Sequence, residues 1–143
     1  MSELNGLLQR LSDVGVEFVV VGGVAAVLHG SSMVTRDLDV CATLSSENLQ
    51  KLRDVLRDLN PVHRIASERQ SFLENPEPGV SVRNLYLQTD LGALDLLGEI
   101  TGVGDLQQIL ASAIEVDLCG HATLASGFVV LDLLPGPRRD SVL

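Results

Sequence analysis

The sequence contains very little lysine. Lys51 stands beside nine arginines and 19 acidic residues, and the formal net charge is −9. Nonspecific binding to nucleic acid depends on Lys and Arg side chains that neutralise phosphates, so this composition disfavours a broad nucleic-acid groove. A local patch of Arg64, Arg69 and Arg83 remains compatible with it. So does a small anion held through metal ions, because bound cations invert the local charge of carboxylates.

The sequence also has few cysteines and no long hydrophobic run. Cys41 and Cys119 are its two thiols, and their spacing matches no metal-binding motif. The longest apolar runs, such as FVVVGGVAAVL, are shorter than a membrane span and contain a Gly-Gly break. The first residues, SELN, lack the basic segment and apolar core of a secretion signal. We expect no structural disulfide, no membrane segment and a cytoplasmic location.

The length of 143 residues and the 45% hydrophobic content suit one compact domain with a single core. We expect this domain over residues 1–130 and a short Pro-rich tail over 131–143. The apolar spacing predicts alternating helices and strands, with a polar loop over 67–79. Helices are expected over residues 2–15, 24–29, 45–60 and 105–113, and strands over 16–21, 37–44 and 62–66 and in two hairpins, 82–97 and 114–124.

Two aspartates lie close together behind a glycine pair. Asp37 and Asp39 are two residues apart on a predicted strand, so their side chains project from the same face. Carboxylates on one face repel each other unless a cation or water lies between them. No cation is near in the sequence, because Arg36 points to the other face of a regular strand. A bound divalent metal is therefore the simplest explanation, and Mg²⁺ suits oxygen ligands.

The residues before these aspartates favour an anion. Gly22 and Gly23 end the first strand ahead of a predicted helix, where backbone N–H groups and the helix dipole attract phosphate. Ser31, Ser32 and Thr35 add hydroxyl donors. Together with the aspartates, these residues predict a site for a metal-bound nucleoside triphosphate.

A third carboxylate is expected from another strand. Asp95 lies in the apolar stretch LGALDLLG, where a charge without a partner is costly; Asp90, at the hairpin turn, is a poorer candidate. Plain structural interpretations remain open: Gly-Gly as a turn only, Asp-Leu-Asp as solvated carboxylates on a half-exposed strand, and Asp95 facing water on an edge strand. The order of glycines, hydroxyls and aspartates favours the phosphate–metal site.

With VGG followed by DLDV, the sequence resembles the nucleotidyltransferase superfamily, in which Gly-Gly or Gly-Ser precedes Asp-x-Asp. The segments HGS…TRDLDV and NLYLQTDLGALDLLGEITGVGD are similar to the bacterial AbiEii-like group of minimal nucleotidyltransferases. The resemblance covers residues 5–125. It implies an α/β (α+β) fold of the polymerase-beta-like kind: one domain with a mixed β-sheet flanked by helices, and an active site along one edge.

The resemblance also implies roles for the candidate residues. Gly22 and Gly23 would contact the triphosphate of an NTP such as ATP. Asp37 and Asp39 would bind two Mg²⁺ ions, and Asp95 would complete the metal site and help to activate the attacking hydroxyl. The implied reaction transfers a nucleoside monophosphate from the NTP to a hydroxyl acceptor and releases pyrophosphate. The acceptor stays open between a tRNA end, a protein hydroxyl and a small molecule.

A second hypothesis is a non-catalytic protein. Relatives continue into a helix with a lysine and an Arg-Pro-Lys-Asp-like element, whereas PGPRRDSVL keeps only Arg138, Arg139 and Asp140 and lacks the lysine. The family also serves in toxin–antitoxin and phage-defence modules, so such a chain could act mainly by binding a small cognate protein. A third hypothesis is a nucleotide-binding sensor that lacks an acceptor.

Overall fold

The computed structural model describes residues 2–21, 37–100, 102–118 and 121–125. In these ranges the elements are helix α1 (Ser2–Val14), strands β1 (Phe18–Val21) and β2 (Leu38–Ala42), helix α2 (Ser46–Leu56) with a 3₁₀ turn (Arg57–Leu59), strands β3 (Val62–His63), β4 (Asn84–Thr89), β5 (Gly92–Leu97), β6 (Glu99–Ile100) and β7 (Gly104–Asp105), helix α3 (Leu106–Leu110), and strands β8 (Ile114–Leu118) and β9 (His121–Ala125).

The main sheet is mixed. Its strand order over the described residues is β3-β4-β5-β2-β1-β9-β8, while β6 and β7 form a separate small pair. Strand β2 runs parallel to β5 and β1 runs parallel to β9. The remaining neighbours in the main sheet are antiparallel. This arrangement places β5 and β2 inside the sheet, each with a strand on either side.

The helices cover both faces of the sheet. The buried leucines of α1 and α2 pack in one cluster with Leu38 and Val40 of β2. The residues of α3 pack in a second cluster with Cys41 and Leu97. Because side chains alternate along a strand, Asp39 lies on the α3 face, between two residues that point to the α1 and α2 face. The predicted mixed α+β sheet with flanking helices is confirmed.

Helix boundaries follow local chemistry. Helix α1 ends where Gly15 adopts a φ of 81°, a conformation that costs glycine little. Helix α3 is shorter than the expected range of 105–113. Asp105 starts it with a capping box, but the backbone turns after Leu110 and β8 begins at Ile114. The apolar pattern ran on into this turn, which explains the overlong prediction.

The segment between β3 and β4 is tied to the core at two buried residues. Phe72 is fully buried, and its backbone N–H donates to the Pro61 carbonyl over 2.9 Å. Arg53 of α2 is 3% exposed and donates from Nε to the Phe72 carbonyl, also over 2.9 Å. The predicted loop over 67–79 is thus irregular but anchored. The third strand, expected over 62–66, is confined to Val62–His63.

Some expectations lie outside the described residues. These are the short helix over 24–29 and the tail over 131–143. Within the described ranges, no helix combines the length and apolar character needed to cross a bilayer.

Ser45 caps helix α2, and its replacement tests that cap. The Asn48 backbone N–H donates to the Ser45 Oγ over 3.2 Å. We expect Ser45→Ala to destabilise the protein by about 1 kcal/mol, because one N–H at the helix start loses its acceptor. Ser46→Ala, at the exposed neighbouring position, should change stability by less than about 0.5 kcal/mol. Urea unfolding of both variants measures the difference; equal losses would contradict the assignment of the cap to Ser45.

Candidate functional site

Two of the predicted aspartates are neighbours across the sheet. In the parallel pair β2–β5, Asp39 lies directly opposite Asp95. Neighbouring strands lie about 4.8 Å apart and paired residues share a face, so both carboxylates project together toward the α3 side. Asp39 is 6% exposed and Asp95 is 1% exposed. The sheet therefore holds two carboxylates side by side, away from water.

This placement decides two of the plain interpretations. Strand β5 lies between β4 and β2, so Asp95 is not on an edge strand and does not face water. Asp39 is buried as well, so it is not a solvated carboxylate of a half-exposed strand. Buried charges of one sign are costly unless they are compensated. A positive charge or a shared proton at this point would offset that cost.

Arg64 supplies such a charge. Its guanidinium donates an N–H to Asp95 Oδ1 in an ion pair. Its backbone N–H donates to the Tyr86 carbonyl over 2.8 Å, and Tyr86 lies directly opposite Asp95 in the pair β4–β5. Arg64 thus stands one strand beyond Tyr86 and reaches back across it. No cation is near the aspartates along the sequence, but folding brings Arg64 to Asp95 from 31 residues away.

The titration of Asp95 links all three aspartates. The pKa of the Asp95 carboxyl is raised above its ordinary value, chiefly because burial disfavours the charged form. The hydrogen bond and charge of Arg64 oppose this rise, and so does an interaction with the Asp39 side chain. The negative charge of Asp37 raises the pKa of Asp95 further. Asp37 and Asp39 therefore both influence the titration of Asp95.

The carboxylates fit a divalent cation as a pair. Asp95 Oδ2 is buried and makes no hydrogen bond within the described part of the chain, and hard carboxylate oxygens suit Mg²⁺. Within that same part, no three Asp, Glu, His or Cys side chains are arranged to hold one ion together. Asp37, just before β2, is half-buried. The aspartates are thus close together without forming a ready three-ligand site.

The predicted phosphate contacts cannot be placed against this pair. Gly22, Gly23, Ser31, Ser32 and Thr35 all lie outside the described residues. The described chain does bring the ends of this region near the carboxylates. Val21, the last residue of β1, lies directly opposite Asp39. Asp37, at the other end of this region, is two residues before Asp39 in the sequence.

The sequence did not place Tyr86 or Arg64 beside the aspartates, and it named Arg64 only as part of a possible arginine patch. Tyr86 is half-buried, and the pKa of its hydroxyl is raised, first by burial and also by the charge of Asp95. The tight turn at Asp90 and Leu91 pairs Thr89 with Gly92, and this register aligns Tyr86 with Asp95. The hairpin itself was predicted from the sequence pattern. Arg64 is 31 residues from Asp95, and no local pattern signals their contact.

Cys41 is a packing residue on the same face. Its side chain is fully buried, and burial raises the pKa of the thiol to about 11, with a smaller contribution from the charge of Asp105. A thiol in this state is a small hydrophobic group rather than a nucleophile. The interpretation of Cys41 as a buried hydrophobic residue is confirmed.

An open cavity lies beyond Tyr86, away from the carboxylates. It has a volume of about 420 Å³ and is lined by residues that include His63, Ile65, Asn75 and Tyr86. Asp39 and Asp95 are not among its lining residues. Tyr86 is the residue that this cavity shares with the neighbourhood of Asp95 in the described part of the chain.

Comparison with known proteins identifies the fold. No protein-family model matches the sequence, and no curated protein matches it. The crystal structure of a candidate nucleotidyltransferase from Thermotoga maritima is similar, with a TM-score of 0.55, 15% identity, and coverage of 86% of this chain and 74% of that chain. The solution structure of the antibiotic-resistance factor ANT(2'')-Ia is also similar, with a TM-score of 0.54, 13% identity, and coverage of 87% of this chain and 63% of that longer chain.

At such identities the likeness shows the fold. The chain has a nucleotidyltransferase-like fold, as the Gly-Gly and Asp-x-Asp motifs suggested. The finer resemblance to the AbiEii-like group stays a prediction.

Proposed function

We propose that this protein is a nucleotidyltransferase, which transfers a nucleoside monophosphate from an NTP to a hydroxyl acceptor and releases pyrophosphate. The observation that carries the proposal is the buried pair Asp39 and Asp95, side by side on adjacent strands. Buried carboxylates lower stability unless an ion pair, a hydrogen bond or a ligand compensates them. The nucleotidyltransferase-like fold supports a role for this pair in nucleotidyl transfer.

Mg²⁺ is part of the proposal, as two ions bound with the NTP. Asp39 and Asp95 would hold metal, with Asp37 as a further ligand or as a nearby negative charge. Two carboxylates are sufficient in principle, because Mg²⁺ keeps several waters and takes its other ligands from substrate phosphates. When bound, the metal would lower the pKa of the attacking hydroxyl and neutralise charge on the leaving pyrophosphate.

The protein's own residues would position the reactants. Asp39 and Asp95 are fixed by hydrogen-bonded strands on both sides, so their carboxylates need little reorganisation when ligands bind. Gly22 and Gly23 are proposed to approach the triphosphate closely, with Ser31, Ser32 and Thr35 as hydroxyl donors. The acceptor hydroxyl would be oriented for attack on the α-phosphate, from which pyrophosphate departs.

The proposal is tested by nucleotide binding and by transfer of label. We expect ATP, GTP, CTP or UTP to bind in the presence of Mg²⁺ with a dissociation constant in the micromolar range, and to bind at least about tenfold more weakly with EDTA. An α-phosphate-labelled NTP should transfer its label to an acceptor drawn from tRNA, protein and small hydroxyl compounds. Binding without transfer to any of these would favour the nucleotide sensor. The absence of both binding and transfer would refute the proposal.

A further inference from the structure

We infer that Arg64 is a built-in competitor of the divalent cation: its guanidinium neutralises Asp95 until metal binds and leaves that carboxylate when metal arrives. This inference rests on the proposed function, because it concerns the same metal site. It adds a residue that neither the motifs nor the fold assign to that site, and it means that the charge of Asp95 is compensated before metal binds.

The ion pair of Arg64 and Asp95 crosses a strand. Arg64 and Asp95 lie on opposite sides of Tyr86, and the guanidinium spans the intervening strand to reach Asp95 Oδ1. The Arg64 backbone is fixed by its hydrogen bond to the Tyr86 carbonyl, whereas its side chain is 26% exposed. The charged end can therefore move toward water while the backbone stays in place.

The pairing of Arg64 with Asp95 is incomplete on both sides. An arginine that serves only as a structural clamp favours two parallel N–H bonds to a carboxylate. Here the contact is made through Arg64 Nη2 and Asp95 Oδ1. Within the described residues, Arg64 Nε and Asp95 Oδ2 are both buried and make no hydrogen bond. The pair leaves ligand capacity on the carboxylate and donor capacity on the guanidinium.

Arg64 and a divalent cation would compete for Asp95 through their charges. Asp95 is 1% exposed, so charges that reach it interact more strongly than they would in water. A guanidinium and a divalent cation on the same buried carboxylate repel each other. Binding of metal to Asp95 therefore weakens the hold on Arg64, and Arg64 weakens the binding of metal.

The experiment compares Mn²⁺ binding by the wild type and by Arg64→Gln, without nucleotide. Gln removes the charge and leaves an uncharged polar side chain at position 64. We expect Arg64→Gln to bind Mn²⁺ about tenfold more tightly, measured as free Mn²⁺ by electron paramagnetic resonance. Arg57→Gln is the matched control, because Arg57 is an exposed arginine of the 3₁₀ turn and is paired with Asp54 of α2. Its Mn²⁺ affinity should equal that of the wild type.

The outcomes separate this inference from the proposed function. Equal or weaker Mn²⁺ binding by Arg64→Gln, with measurable binding by the wild type, overturns the inference and leaves the metal site standing. Failure of every variant to bind Mn²⁺, with ATP present or absent, overturns both.

A second measurement follows metal binding by the wild-type chain and uses a variant only to assign one resonance. The Nε–H resonance of Arg64 can be assigned by its absence from the ¹⁵N spectrum of Arg64→Lys. We expect it to shift and to exchange faster with water as Mg²⁺ saturates the protein, because the guanidinium leaves its buried position. Shifts elsewhere in the spectrum would show that Mg²⁺ saturates the protein. An Arg64 resonance that stays unchanged at this point would overturn the inference even if Arg64→Gln failed to fold.

Discussion

Asp39→Asn is expected to lower the rate of nucleotidyl transfer by at least about a hundredfold. Asn has nearly the same shape as Asp but no negative charge, so the proposed metal site loses half of its buried carboxylate pair. The fold should survive, because the change removes one of two like charges that lie opposite each other across β2 and β5. Label transfer from NTP measures the activity, and circular dichroism checks the fold.

The control for this change is Asp90→Asn. Asp90 is the exposed aspartate of the hairpin turn, and its carboxylate accepts a hydrogen bond from Asn60 Nδ2 over 2.8 Å. Asp90 belongs to the same hairpin as Asp95, but it is not paired with Asp39 or Asp95 in the sheet. Its substitution should leave the transfer rate within about twofold of the wild type. Equal activity in Asp39→Asn and the wild type would remove the aspartates from the mechanism.

Phe72→Ala should reduce the free energy of unfolding by about 3–5 kcal/mol. Phe72 is fully buried in the cluster that α1 and α2 form with the sheet. The Arg53 guanidinium carbon lies 5.0 Å from the centre of its ring, and the His63 ring meets it edge-on with centroids 6.0 Å apart. Truncation to Ala leaves a cavity and removes the ring from both neighbours. Urea unfolding measures the loss.

Two comparison variants separate packing from the mere presence of a large residue in this segment. Phe72→Leu keeps most of the apolar volume and should cost clearly less than Phe72→Ala. Ile65→Ala, at a side chain that is 50% exposed, should change stability by less than about 1 kcal/mol. If Phe72→Ala and Ile65→Ala were equally mild, the segment between β3 and β4 would not be anchored by Phe72.

The parts of the fold that local chemistry determines could be predicted from sequence. Helix α1 ends at a glycine with positive φ, and Ser45 and Asp105 begin helices as caps. The hairpin of β4 and β5 follows from alternating residues around a polar turn. Each of these elements depends on residues that are close together along the chain.

Features that depend on long-range pairing needed the structure. Asp39 and Asp95 come from strands that pair in parallel across a long intervening segment, and register between such strands leaves no local signal. The motif resemblance brought these aspartates together before the geometry was known. It did not identify Arg64, because that contact depends on how β3 aligns with β4 and on where one long side chain ends.

The interior position of β5 sets the balance between folding and chemistry. A carboxylate on a peripheral strand could be tuned by water and would cost the chain little. Asp95 instead occupies a place where a leucine would pack, and an arginine is committed to compensating it. Buried ionic groups of this kind are often replaceable by apolar residues at no loss of stability. Selection for a robust fold alone would let them drift to leucine or valine, and the proposed reaction is a reason for the chain to retain them.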